Sequence, residues 1–157
     1  MDNSKTSRRQ FCAHAISFVT VASLVEGCGS KSPTSPGGGG GGNVPAAPTI
    51  AGSAAGSTIT VSNISASALA NVGSAALVQA GGNSVLVTHT GSDSFTAVTA
   101  ICTHEQCIVT GFESGSFVCP CHGSRYSTSG QVQQGPATRA LRQFTTQFTN
   151  NVLTITV

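Results

Sequence analysis

The strongest constraint in this chain is a concentration of cysteine and histidine. Cys102, His104, Cys107, Cys119, Cys121 and His122 all fall between positions 102 and 122, although the 157 residues contain only 6 Cys and 4 His in total. They form two boxes, Cys102-Thr103-His104-Glu105-Gln106-Cys107 and Cys119-Pro120-Cys121-His122-Gly123-Ser124. The residues between the boxes include Gly111, Gly115 and a Phe117-Val118 strand fragment, so the boxes are predicted to face each other across a hairpin.

Charge removes several function classes. Charged residues make up 8% of the chain and the net charge is +2, with Lys5, Arg8 and Arg9 all in the first nine positions. A basic patch for nucleic acid has no material, and no nucleic-acid partner is expected. From Cys28 onward only Asp93, Glu105 and Glu113 are acidic, and no two share a local motif, so hydrolysis by paired carboxylates is disfavoured. Read from residue types alone, the boxes fit a structural zinc site, one or two plain disulfides, or an iron–sulfur cluster. The single residue between Cys102 and His104 suits zinc poorly, because zinc ligand pairs usually have two to four residues between them. Disulfides would account for four Cys but not for a His in each box.

The first 28 residues read as an export signal: a basic start, a mild apolar run from Phe11 to Val25, then Gly27-Cys28-Gly29. Ser7-Arg8-Arg9-Gln10-Phe11 resembles a twin-arginine signal, whose machinery exports folded proteins. Leu24-Val25-Glu26-Gly27-Cys28 resembles a lipobox, with Glu26 where that pattern usually has a small uncharged residue; Cys28 is the expected lipidation site. Residues 29–48, with six consecutive Gly at 37–42, are expected to be a disordered linker, because nothing in them could offset the entropy of ordering. Residues 49–157 are then the folded domain.

In that domain the hydrophobic period is two. Thr58–Val61, Ser84–Thr88 and Phe95–Ile101 are rich in β-branched residues, and Gly81-Gly82-Asn83, Gly91-Ser92-Asp93 and Thr149-Asn150-Asn151 punctuate them. The last triplet is expected to be the turn of a closing hairpin, Leu141–Phe148 with Val152–Val157. The fold class is all-β, a sandwich or barrel. Ser65–Ala76 is the one stretch with enough Ala to form a short helix, and His89 reads as an ordinary surface or half-buried histidine.

CTHEQC followed by CPCHGSRY resembles the two loops of a Rieske iron–sulfur protein. FTAVTA before the first box resembles that family's strand into the first ligand, and Gly135-Pro136-Ala137 its proline loop covering the cluster. The resemblance implies an antiparallel β sandwich or barrel with a two-loop tip and one [2Fe–2S] cluster, ligated by Cys102, His104, Cys119 and His122. It implies a disulfide between Cys107 and Cys121, as in the cytochrome bc type. Ser124 and Tyr126 match hydroxyl donors to a bridging sulfide and to the sulfur of Cys102, a pattern of the high-potential members. Replacing two thiolates by neutral imidazoles removes negative charge and raises the potential. Glu105-Gln106 departs from the apolar residue and Gly usual there.

What the resemblance implies for function is one-electron transfer at the outer face of a bacterial cytoplasmic membrane, by an exported and lipid-anchored protein. The expected partners are the membrane, cytochrome b with quinol, and a c-type cytochrome, as in a quinol–cytochrome c oxidoreductase. A second reading is a Rieske small subunit or stand-alone carrier for another periplasmic oxidoreductase of the arsenite-oxidase kind. A third, from a different class, is a binding module merely stapled by zinc or disulfides.

Overall fold

The computed structural model describes residues 43–157; the signal, Cys28 and most of the expected linker lie outside the described residues. Twelve strands follow in order: β1 (Thr49–Ala51), β2 (Ser53–Ala55), β3 (Thr58–Ser62), β4 (Ala75–Ala80), β5 (Asn83–Gly91), β6 (Ser94–Thr99), β7 (Gly111–Glu113), β8 (Ser116–Val118), β9 (Arg125–Ser127), β10 (Val132–Gln134), β11 (Gln143–Thr149) and β12 (Val152–Thr156). Among the described residues the sole helical element is a single 3-10 turn, Ile64–Ala66; the rest of the Ala-rich Ser65–Ala76 stretch forms turns and bends, and β4 takes its last two residues.

Eight strands make one sheet in the order β1-β4-β5-β6-β11-β12-β3-β2. Its two edges, β1 and β2, are separated only by Gly52, so one bent segment carries the chain from one end of the sheet to the other and nearly closes a barrel. The corner needs glycine: a Cβ at Gly52 would meet Ile59 Cγ2 at 3.1 Å, the Thr60 carbonyl at 3.2 Å and Ala80 Cβ at 3.3 Å. Two-residue turns close the hairpins. Gly81-Gly82 joins β4 to β5 and Asn150-Asn151 joins β11 to β12, all four with positive φ, as a primed turn requires.

The second sheet, β10-β9-β8-β7, is inserted between β6 and β11. It packs on the outside of β4, β5 and β6, which therefore bury both faces. Val78, Val85, Val87 and Ala97 point into the barrel core with Ile59, Val61, Leu153 and Ile155. Leu77, Leu86 and Val98 point the other way, against Phe117, Tyr126 and Leu141. This explains the near-continuous burial of Ala75–Val78 and Val85–His89, whereas β3 and β12, covered on one side, keep strict alternation.

Two expectations need correction. The linker does not extend to Pro48: Ala47 is buried, its N–H donates to the Thr110 carbonyl at 2.7 Å, and the Pro45 and Pro48 carbonyls accept from Phe112 and Leu77 at 2.9 and 2.8 Å. The two prolines lack N–H donors but their carbonyls still pair, and Gly111, beside which Val44 lies, leaves room for the strand-like passage. His89 is buried, with Nδ1 2.8 Å from the Leu69 carbonyl and its ring stacked on Phe95 at 4.3 Å. It belongs to the core of the barrel, not to its surface.

Candidate metal centre

Each box forms a loop closed in the same way. In the first, Cys102 N–H donates to the Cys107 carbonyl at 2.8 Å and Gln106 N–H donates back to the Cys102 carbonyl at 2.9 Å. In the second, Cys119 N–H donates to the Ser124 carbonyl at 2.9 Å and Gly123 N–H to the Cys119 carbonyl at 3.0 Å. The fifth residue of each loop, Gln106 or Gly123, has a left-handed backbone. The two boxes thus share a backbone template that their side chains conceal. The bridge between Ile101 and Ile108 anchors the first loop, and β8 and β9 anchor the second.

The template gives the side chains two environments. Cys102 and Cys119 are buried free thiols, whereas His104 and His122 are exposed, their rings 5.0 Å apart and nearly perpendicular. Cys107 and Cys121 are joined in a disulfide that ties the loops together. Cys119 also lies near those two sulfurs, but a disulfide leaves neither free to ligate, so a site built from that trio is excluded. Burial pushes the Cys102 thiol up. The Tyr126 hydroxyl, the backbone N–H groups of His104 and Glu105 and the Cys119 thiol outweigh it, so Cys102 ends below its ordinary value. Burial dominates at Cys119 and, with the neighbouring Cys102, holds it above.

Tyr126 is fully buried, with its hydroxyl 3.2 Å from Cys102 Sγ. Thr103 N–H donates to it at 3.3 Å, and Thr103 Oγ1 lies at 3.2 Å with its own proton directed to the Arg139 carbonyl at 2.6 Å. Tyr126 accepts from Thr103 and keeps one proton to give, for which a thiolate is the stronger acceptor. Burial and the Cys102 sulfur both raise its own ionisation above the usual phenol value, so the proton stays. Ser124 Oγ, also buried, accepts the Ala137 N–H at 3.0 Å and retains a proton to donate. Ala137 belongs to the expected covering loop, and this bond brings that loop against Ser124. One neighbour has no local signal in the chain: Glu105 Oε2 lies 3.7 Å from His122 Nδ1, in the other loop.

A Rieske [2Fe-2S] domain model matches residues 61–145, more than half of the chain. The chain belongs to the Rieske family. Its cofactor is one [2Fe–2S] cluster. The cytochrome b6-f complex iron-sulfur subunit of Chlorobaculum tepidum is 35% identical over 74 residues, covering 46% of this chain and 40% of that protein. The ubiquinol-cytochrome c reductase iron-sulfur subunit of Bradyrhizobium diazoefficiens is 47% identical over 49 residues, covering 30% and 28%. The chain thus spans less than half the length of the curated relatives it matches. A structure of naphthalene 1,2-dioxygenase shares the fold at a TM-score of 0.53 and 16% identity, over 63% of this chain and 25% of that one. The donor set fits the cofactor: two buried thiols beside two exposed imidazoles would supply the mixed sulfur and nitrogen ligation that distinguishes a Rieske centre from an all-thiolate cluster.

Proposed function

We propose that this Rieske protein is an exported, lipid-anchored, high-potential one-electron carrier at the outer face of the cytoplasmic membrane, serving as the iron–sulfur subunit of a quinol–cytochrome c oxidoreductase. The observation that carries the reading is the polarity of the site, with thiols and the Tyr126 hydroxyl inside and imidazoles at the surface. Cys102, His104, Cys119 and His122 hold the cluster, which when bound takes up and releases one electron. His104 and His122 present it to a partner, because they are the exposed members of the set. Tyr126 and Ser124 direct protons inward to the sulfurs and favour the reduced state, which is the more negative. The Cys107–Cys121 disulfide fixes the distance between the loops. Arg8-Arg9 and Cys28 supply the export route and the lipid anchor in this reading.

Glu105 supports a second reading, a small subunit or free carrier for another periplasmic oxidoreductase. Its carboxylate beside His122 puts charge at the tip that would enter an apolar quinol site. The test of the common ground is the full chain purified with its cluster. Reduced protein should be EPR-active with nitrogen hyperfine coupling that changes on 15N-histidine labelling, and film voltammetry should place the midpoint in the upper part of the Rieske range of about −150 to +300 mV. A colourless, zinc-loaded protein would overturn the electron-transfer reading, and a midpoint near the lower limit would overturn the high-potential one.

A further inference from the structure

The described residues carry six charged side chains: Asp93, Glu105, Glu113, Arg125, Arg139 and Arg142. Glu113 and Arg125 neutralise each other at 3.1 Å. Asp93 stands in the β5–β6 turn, at the end of β6 away from the cluster loops and roughly 20 Å from them by strand rise. Among the described residues Arg139 and Arg142 make no ion pair, and both are exposed. They line one cleft of about 430 Å³ together with Ile101, His104 and Gln106. On a surface this poor in charge, the two unpaired cations are gathered against one imidazole of the site.

The cleft is also partly apolar and partly held in place. Ile101 is 39% exposed and Ile108, its partner across the bridge, 37%; they are two of the three large hydrophobic residues exposed among the described residues. The Arg142 guanidinium lies over the Phe144 ring at 4.8 Å, and the Arg139 carbonyl is tied to the first loop through Thr103. An apolar patch rimmed by like charges is the anatomy of a transient protein interface, and the unbalanced charge selects the sign of the partner.

Building on the electron-transfer reading above, we propose that this cleft docks the acidic face of a redox partner protein. Partner carboxylates meet Arg139 and Arg142, apolar contact forms on Ile101, and the partner's redox centre comes to rest beside His104. One electron then leaves the reduced protein and one ferric haem of the partner becomes ferrous, with no atom transferred.

The test uses the full cluster-loaded chain, reduced, against two oxidants that share a fold: mitochondrial cytochrome c, whose surface is basic, and the same protein with its lysines succinylated. At about 0.01 M ionic strength, where the Debye length is about 30 Å, the acidic form should react faster, and its advantage should vanish near 1 M. Arg139→Gln with Arg142→Gln should slow the acidic form about tenfold at low salt and flatten its salt slope, within the range of steering effects. The midpoint and EPR signal should not change. Arg139→Glu with Arg142→Glu should reverse the preference. Unchanged rates and salt slopes in both variants would overturn the docking site, as would an equal slowing of both cytochromes. A protein that exchanges no electrons with either cytochrome or with an electrode would instead overturn the electron-transfer reading itself.

Discussion

The barrel and the small sheet are stabilised by different means. The barrel core is built almost wholly from aliphatic side chains, among them Ile59, Val61, Val78, Val87, Leu153 and Ile155, on strands of up to 9 residues. The small sheet has four strands of 3 residues each, and its buried set includes Cys102, Cys119 and Tyr126. In the first region, packing and chemistry are separate. In the second, the side chains that make the site also make the core. Strands this short cannot bury enough apolar surface among themselves, so packing on β4–β6 and the bonds among the loops must supply the difference.

The largest effect should come from removing the cluster. Chelation of iron, or Cys102→Ser, should lower the opening free energy of β8 and β9 by about 3 kcal/mol or more, since metal binding there is also folding energy. Amide hydrogen exchange should show that loss while β3 and β12, which the small sheet does not cover, keep their protection. The reciprocal change, Ile59→Ala, empties a fully buried position of the barrel and should cost about 2–5 kcal/mol while leaving the midpoint potential unmoved. If chelation deprotects both regions together, the two are one cooperative unit and the contrast fails.

The disulfide comes next. Cys107 and Cys121 are 14 residues apart in sequence, and closing a loop of that size contributes about 3 kcal/mol in the chain-entropy account. Cys107→Ser with Cys121→Ser should therefore lower the stability of β7–β10 by that order and leave β3 and β12, which the small sheet does not cover, untouched. Exchange rates read after removal of the bridge would check it, and a uniform loss across both sheets would contradict it.

How legible each region was follows from the same division. The ligand candidates lie within two local boxes, so their clustering marked the boxes and the family resemblance chose among the residues in them, and the turns at Gly81-Gly82 and Asn150-Asn151 fell where Gly and Asn signalled them. What local pattern could not show was what covers a strand. The outward faces of β4–β6 are buried only because a sheet formed later in the chain returns to them. Val44–Pro48 read as linker because composition counts side chains, whereas its order comes from its backbone: the Ala47 N–H donates to the Thr110 carbonyl, and the Pro45 and Pro48 carbonyls accept from Phe112 and Leu77. The Glu105–His122 approach and the burial of His89 likewise depend on residues distant in sequence.

Within the site, hydrogen bonds should move the potential with little effect on either sheet. The Tyr126 hydroxyl lies 3.2 Å from Cys102 Sγ; in the proposed reading it donates there, and the bond should strengthen as the sulfur becomes more negative on reduction. If the gain between redox states is about 1.4 kcal/mol, Tyr126→Phe lowers the midpoint by roughly 60 mV, the value of a tenfold change for a one-electron couple. Ser124→Ala should shift it in the same direction, with the added loss of an acceptor for the Ala137 N–H. Film voltammetry on both variants reads the shifts, and an unchanged midpoint in Tyr126→Phe would show that its proton goes to Thr103 instead.

The smallest effect separates the two loops from each other. They share one backbone template, yet its left-handed position is Gly123 in one and Gln106 in the other, with φ of 74° and 57°. A side chain there crowds the following carbonyl at about 1–2 kcal/mol, whereas glycine escapes that penalty but loses more chain entropy on folding. The two terms partly offset, and the balance favours glycine: Gln106→Gly should stabilise the small sheet by about 0.5–1 kcal/mol. Gly123→Ala should destabilise it by a comparable or larger amount, because Gly123 is buried and Gln106 is exposed. Gln106 also lines the cleft beside His104, so its retention at a strained position is explained if its side chain contributes to docking. Chemical denaturation followed at the cluster absorbance measures both variants. A Gln106→Gly protein no more stable than the parent would mean that the first loop is held by its contacts so firmly that its backbone geometry no longer matters.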